Sequence, residues 1–334
     1  MTPDDPIRRR RAIEMRAPRD NRFSPHTPMG VGAEFDAIRR MLERWGPRAK
    51  RIGDDAAVIT TLGDRAVVAS TDTSVENVHF RRDWLTPREI GYRAAAAALS
   101  DLAAMGARPI GILAALTVPE SWRGDFDAIS DGIGDAAENA GAPILGGDTT
   151  RGSELSLTIT VIGTARDLLC RTSARPGDRV YVTGRLGGPL AALRDMQEGR
   201  IPSVENRIRF AHPLPRIEEA AWLAENGAAA AVDISDGLAA DLGHVSAASR
   251  VGITVRIEDI PTVSGMSAIE AAGSGEEYEL IVTSPADMDV GEFTKRFNLD
   301  LTQIGAVSGG AIGVVMTQNG EPVISPAGYL HFTE

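Results

Sequence analysis

Between residues 87 and 107 the sequence reads as one long helix, and its middle, 94–104, is apolar on nearly every side. Pro87 stands near the start and Gly106 near the end, where those residues favour initiation and termination. A helix that lacks a polar face is a buried helix, so the rest of the chain has to fold around it. Asp101 sits in the middle of this run. An ionised carboxylate in such surroundings must be paired or metal-bound. A salt bridge to Arg93 or Arg108 is the structural alternative.

The flanking sequence alternates helical and strand patterns. Residues 34–45 carry apolar side chains at a helical period, and 52–59 read as a short strand opening with two acids. Residues 65–70 form an apolar strand ending at Thr71-Asp72-Thr73. Strands are predicted at 110–118 and 143–145, a helix at 126–139, and an alternating, half-buried strand at 155–163. Arg175-Pro176-Gly177-Asp178 launches another strand at 179–183. A glycine-rich loop at 184–188 follows, then helices at 189–197, 216–226 and 238–249, and strands at 228–232, 253–257, 279–283, 302–307 and 313–317. A chain of 334 residues accommodates one large or two medium domains. Strand–helix alternation in both halves predicts an α/β or α+β layer in each, with a boundary near 165–178. Residues 1–29, with seven arginines and four acids and no apolar period, are expected to be a disordered arm. The predicted units are then 30–168 and 169–334.

Composition removes several function classes. The formal net charge is −11, which argues against nucleic acid as the main partner. The longest apolar stretches fall far short of the ~18 residues a membrane span needs. No signal peptide is legible, and a single cysteine, Cys170, suits a reducing cytosol. The only lysines are Lys50 and Lys295, and neither follows a glycine-rich strand–helix turn. Phosphate-loop and protein-kinase lysine chemistry is therefore excluded. Nucleotide chemistry here must use aspartates with metals, arginines and backbone amides.

Six segments share one grammar, an apolar run or buried helix that ends in or contains a carboxylate. They are Gly53-Asp54-Asp55, Ser70-Thr71-Asp72-Thr73, Leu99-Ser100-Asp101-Leu102, Gly146-Gly147-Asp148-Thr149, Asp233-Ile234-Ser235-Asp236-Gly237 and Gly275-Glu276-Glu277-Tyr278. Strand C-termini are where α/β proteins place functional groups. Taken singly, Asp72 and Asp148 could be helix caps or Asx-turns, and Asp54 and Asp55 a simple turn. His79 by itself reads equally as a structural histidine, and the 184–188 loop as an ordinary turn. Hard oxygen donors without a Cys/His cluster point to Mg²⁺ rather than zinc.

Together these segments resemble the thiamine-monophosphate kinases of the aminoimidazole ribonucleotide synthetase-like ATP-binding superfamily. The matching stretches are GDDAAVI from Gly53, STDTSVENVHF from Ser70, GYRAAAAALSDLAAMGARP from Gly91, LGGDTTRG from Leu145, DISDGLAADLGH from Asp233 and GEEYEL from Gly275. The resemblance implies a two-domain PurM-like α/β (α+β) fold, its N-terminal mixed sheet and helices forming the dimer contact and its C-terminal α/β domain completing the site. It also implies a cytoplasmic homodimer, ATP as co-substrate and several Mg²⁺ ions. By motif position, Asp54, Ser70, Thr71, Asp72, Asp101, Asp148, Asp233 and Asp236 would be metal ligands. Gly147, Asp148, Arg171 and Ser235 would contact ATP, and His79, Glu276 and Tyr329 would hold thiamine monophosphate. The sequence departs from the family at Ser74, usually bulky and apolar, at Asn77, usually glycine, and at Glu277, often aspartate. No catalytic base is expected, because a phosphate monoester with a second pKa of about 6 is already largely deprotonated. The alternatives are another ATP-dependent enzyme of the superfamily or a non-catalytic nucleotide- or metal-binding paralogue. A C-terminal cysteine, as in hydrogenase-maturation relatives, is absent from this sequence.

Overall fold

The computed structural model describes residues 33–49, 52–326 and 328. Residues 1–29 and Tyr329 lie outside the described residues. The first half comprises α1 (Ala33–Trp45), β1 (Ala57–Leu62), β2 (Arg65–Val75), α2 (Pro87–Ala104), β3 (Arg108–Val118), α3 (Phe126–Asn139), β4 (Ile144–Arg151) and β5 (Ser156–Ala165). Its five strands form a mixed sheet in the order β1-β2-β5-β3-β4, parallel only between β3 and β4. The alternation in β5 puts Leu157, Ile159 and Val161 on one fully buried face, and β5 packs on α2.

The second half comprises β6 (Arg179–Thr183), α4 (Gly188–Gln197), α5 (Val204–Ala211), α6 (Ile217–Glu225), β7 (Ala230–Asp233), α7 (Leu238–Ser249), β8 (Gly252–Arg256), α8 (Ala268–Ala272), β9 (Leu280–Ser284), α9 (Val290–Phe297), β10 (Leu301–Ser308), β11 (Gly313–Gln318) and β12 (Glu321–Val323). These strands form a seven-stranded sheet in the order β12-β11-β8-β10-β6-β9-β7. Its short strands are near-continuously apolar because α7 covers it: Leu238, Leu242 and Val245 pack with Val232, Ile253 and Ile281.

The all-round apolar helix is accounted for by position. Thr86 and Glu89 start α2 with a reciprocal capping box, and Pro87 occupies its first turn. The helix then packs on β2, β5 and α3 in its own half and on α6 and β7 in the other. With neighbours on all sides, no polar face is needed. A single apolar cluster runs from the five-stranded sheet through α2 into Trp222 and Phe293 of the second half. Contact with α3 is close enough to demand glycine at both crossing points: a Cβ on Gly91 would strike the Ile129 carbonyl oxygen, and one on Gly132 the Arg88 carbonyl oxygen.

Most predicted elements are present, with instructive differences. Strand β2 continues past Ser70 to Val75, and β4 runs through Gly146-Gly147-Asp148 to Arg151. Asp72 and Asp148 are therefore mid-strand residues, not helix caps. Residues 53–56 are a bend rather than the start of a strand. Helix α5 gave no sequence signal, because its apolar residues Val204 and Ile208 face solvent while only Phe210 and Ala211 are buried.

Candidate active site

A cavity of about 550 Å³ opens between the two halves. One end is acidic, lined by Asp72, Asp101, Asp233 and Asp236. The other end is apolar and aromatic, with Trp84, Leu85, Ile90, Leu193 and Phe210. His79 and Glu276 line it as well.

The acidic end assembles from four separate elements. Asp101 arrives on α2, Asp72 on β2, Asp233 at the end of β7, and Asp54 and Asp55 from the bend before β1. Asp55, Asp101 and Asp233 present carboxylate oxygens within 4.8 Å of one another. Neither candidate arginine pairs with Asp101: Arg108 bridges to Glu218 and Arg93 to Glu276. Asp101 instead accepts a hydrogen bond from Ser70, and burial together with Asp72, Asp233 and Asp55 pushes its carboxyl well up. Burial and the neighbouring Asp55 raise Asp233 to about 7, although the Ser100 hydroxyl donates to it at 2.7 Å. Asp54 rises to about 6 for the same first reason, against a hydrogen bond from the Arg171 amide. Arg171 is half-buried and its guanidinium pairs with Asp55. Such an excess of buried negative charge, carried entirely by hard oxygen donors, fits a divalent cation of the oxygen-preferring kind.

The Asp233–Gly237 loop is held by a residue that sequence reasoning missed. Asp241, buried in the first turn of α7, accepts the amides of Ser235, Asp236 and Gly237 through one oxygen at 3.0–3.1 Å. This fixes Ser235 and Asp236 at the cavity wall. Asp236, Asp241 and His244 also bring donor atoms within 4.8 Å of one another. Its four-residue spacing from Gly237 was the available signal: one helical turn back toward a loop of free amides.

The Gly275–Leu280 stretch carries two more such carboxylates: Glu277, known from the sequence only as a departure from the family's usual aspartate, and Glu279, which sequence reasoning missed. Glu277 is buried, accepts the Gly187 amide at 2.6 Å and the Ser274 hydroxyl, and pairs with Arg209 at 3.2 Å. Burial nevertheless raises it to about 7. The 184–188 loop thus gives its amide to a carboxylate of the protein itself. Glu279 is likewise buried, but Arg216 and Arg209 hold its carboxyl below the usual range. Glu276 and Tyr278 both adopt left-handed backbone, φ +57° and +52°. Asn77, where the family usually has glycine, also sits at φ +63°, a conformation asparagine tolerates better than most residues.

Three predicted residues lie elsewhere. Across the paired strands Asp148, Ala115, Thr158 and Thr73 are neighbours in register. The Thr73 and Thr71 hydroxyls bond those of Thr158 and Thr160 on the exposed face of the sheet. Thr71 and Asp148 thus share the outer face, while Ser70 and Asp72 face α2. Three strand steps, roughly 14 Å, separate Asp148 from Thr73. Gly147, also on β4, has a packing reason to be glycine, since a Cβ there would strike the Ala114 carbonyl oxygen. Gly328 lines the cavity against Asp236 and Ala240, and Tyr329 beyond it is outside the described residues.

Two sheets flanking a buried helix, with carboxylates meeting at their junction, define the AIR synthase related class. Residues 53–165 match the N-terminal domain of AIR synthase related protein and residues 175–317 its C-terminal domain. Thiamine-monophosphate kinases are similar throughout: that of Salmonella typhimurium is 36% identical over 90% of this chain and 98% of its own length. That of Bacillus subtilis is 33% identical over 90% and 99%. Among solved structures, AaThiL complexed with AMPPCP and TMP superposes with a TM-score of 0.78 at 29% identity, covering 91% of this chain and 97% of that one. The thiamine-monophosphate kinase of Stenotrophomonas maltophilia gives 0.72 at 35% identity, covering 87% and 98%. The chain belongs to the thiamine-monophosphate kinase family.

Proposed function

We propose that this chain catalyses ATP-dependent phosphorylation of thiamine monophosphate to thiamine diphosphate, by direct in-line attack of the acceptor phosphate on the γ-phosphorus of ATP. The observation that carries this reading is the polarity of the cavity. A carboxylate cluster at one end and an aromatic, apolar wall at the other suit a phosphate ester of a flat heterocyclic cation.

The residues present fit Mg²⁺ through Asp54, Ser70, Asp72, Asp101, Asp233 and Asp236. When bound, the ions would cancel repulsion between two anionic reactants and align the reacting oxygens. The protein's own part is to position and to exclude. Asp241 holds the loop that presents Ser235 and Asp236, and Arg171 offsets the charge of Asp55 beside the nucleotide end. His79 and Glu276 stand at the acceptor end, and the wall of Trp84, Leu193 and Phe210 keeps water, the competing nucleophile, away. The acceptor oxygen is already ionised, so no side chain has to remove a proton.

Thr71 and Asp148 support a second element of this reading, a homodimer built on the outer face of the five-stranded sheet. Asp148 cannot reach its own acidic cluster from three strands away on the opposite face. That face also exposes Leu113, and all of β4 is exposed, the condition in which a strand edge seeks a partner. A second copy against it would bring Asp148, and with it Gly147, to the partner's nucleotide. Substrates of this kind and the lone Cys170 fit a cytoplasmic setting.

ADP release with Mg²⁺ and thiamine monophosphate tests the activity. We expect turnover with thiamine monophosphate and none with free thiamine, whose hydroxyl has no base to activate it. Label on the protein after incubation with γ-labelled ATP, or equal phosphorylation of free thiamine, overturns direct transfer.

A further inference from the structure

Arg93 is the one arginine of α2 buried at the cavity wall, its side chain only 7% exposed. Its guanidinium makes three contacts, each to a different segment. It pairs with the Glu276 carboxylate, donates from Nη1 to the His79 carbonyl oxygen at 3.2 Å, and lies 4.2 Å over the Phe210 ring of α5. Those three residues line the same cavity, and none is near the others in sequence.

Both segments it grips need holding. Glu276 occupies left-handed backbone, unfavourable for a side chain with a Cβ, and its carboxylate stands in a cavity already crowded with aspartates. The His79 segment follows Asn77, itself left-handed, in an irregular loop. A buried guanidinium with a fixed fork can hold a carboxylate and a carbonyl together where a lysine ammonium cannot reproduce the geometry.

We propose that Arg93 is a positioning residue for the acceptor end of the site, fixing Glu276 and the His79 segment against α5 so that thiamine monophosphate, but not ATP, depends on it for binding. The inference rests on the function proposed above. It makes the helix that carries Asp101 to the acidic end also organise the acceptor end: residues 93 and 101 lie about two turns apart along one rigid element.

Steady-state kinetics of the full chain and of Arg93→Met, Arg93→Lys and Glu276→Gln test it, with thermal melts alongside. Loss of a charge-assisted contact in Arg93→Met should raise KM for thiamine monophosphate by about tenfold or more. KM for ATP should stay within about twofold, because no contact to the acidic end is lost. Arg93→Lys should fold like the wild type and recover only part of the affinity. The double variant Arg93→Met with Glu276→Gln should cost clearly less than the two single losses added together, since part of what Arg93 does runs through that carboxylate. Equal rises in both KM values, an unchanged KM for thiamine monophosphate, or full additivity in the double variant would overturn the inference. If Arg93→Met fails to fold, Arg93→Lys with the same KM comparison decides it. A wild-type chain that does not turn over thiamine monophosphate sinks the functional reading first, and is recognised separately by that control.

Discussion

Asp101 shows how a residue's chemistry is decided by what surrounds it. Its nearest charged groups are carboxylates, and the two arginines that could have neutralised it are committed to Glu276 and Glu218. Asp54 and Asp233, lifted to about 6 and 7, also have carboxylate neighbours, whereas Glu277, though paired with Arg209, is lifted to about 7 by burial. The sign follows from linkage: a carboxyl whose folded pKa is raised binds protons more tightly in the folded state. Its contribution to stability is therefore fully present below about pH 4 and declines until pH passes the folded value near 7. His244, lowered to about 4 chiefly by burial, acts oppositely between about pH 4 and 6.5, but it is outnumbered. The metal-free protein should lose melting temperature between about pH 5 and 7.5, and Mg²⁺ should restore it. Asp101→Asn should melt higher than wild type when metal-free at neutral pH, gain less from Mg²⁺, and lose at least about a hundredfold in turnover. Melts at several pH values with and without Mg²⁺, beside an ADP-release assay, check this. Near-normal activity in the variant would show the carboxylate to be structural only.

At the scale of elements, the packing of α2 sets how accurately the acidic end is placed. Gly91 and Gly132 let the backbones of α2 and α3 meet, each beneath a carbonyl oxygen of the other helix. Gly132→Ala has nowhere to put its methyl group except by separating the helices. We expect a loss of about 1–3 kcal/mol, read as a lower melting temperature. Because α2 also carries Ser100, which donates to Asp233, activity should fall by more than the small unfolded fraction accounts for. A variant with unchanged melting temperature would mean that the helices separate freely and that the close contact contributes nothing. Loop elements show the complementary device. The Asp233–Gly237 loop and the 184–188 loop are irregular, and each is tied by one buried carboxylate: Asp241 collects three backbone amides, and Glu277 accepts that of Gly187.

At the scale of the whole molecule, the acidic end lies within one chain while Asp148 and Thr71 face outward. If the site is shared across a dimer, Asp101→Asn and Asp148→Asn damage the same wild-type function from different subunits. Each variant alone should be inactive. Co-expressed, half the dimers are mixed and each contains one intact site, so about a quarter of the wild-type rate should return. Light scattering would confirm the dimer; no recovery on co-expression would overturn the shared site, and an active Asp148→Asn variant would place Asp148 outside the reaction.

What the sequence alone determined is what depends on local pattern. The buried helix, the alternating strands, the two-layered halves and the six carboxylate segments were legible because period and punctuation are written in neighbouring residues. The same holds for membership of the family, whose motifs are contiguous. Which carboxylates face one another depended on sheet register and helix contact, and these belong to residues far apart in the chain. Strand alternation alone sends Asp72 to the inner face and Thr71 to the outer, yet only the pairing of β2 with β5 and β5 with β3 shows that Asp148 stands with Thr71. Asp241 escaped notice, and Glu277 stood only as a departure from the family, because each bonds to the backbone of a loop that only the folded chain brings near it. Arg93 looked like a candidate partner for Asp101 by spacing. The tertiary structure gave it to Glu276 instead, because a side chain on a helix with neighbours on every side bonds to whichever element packs against its own face.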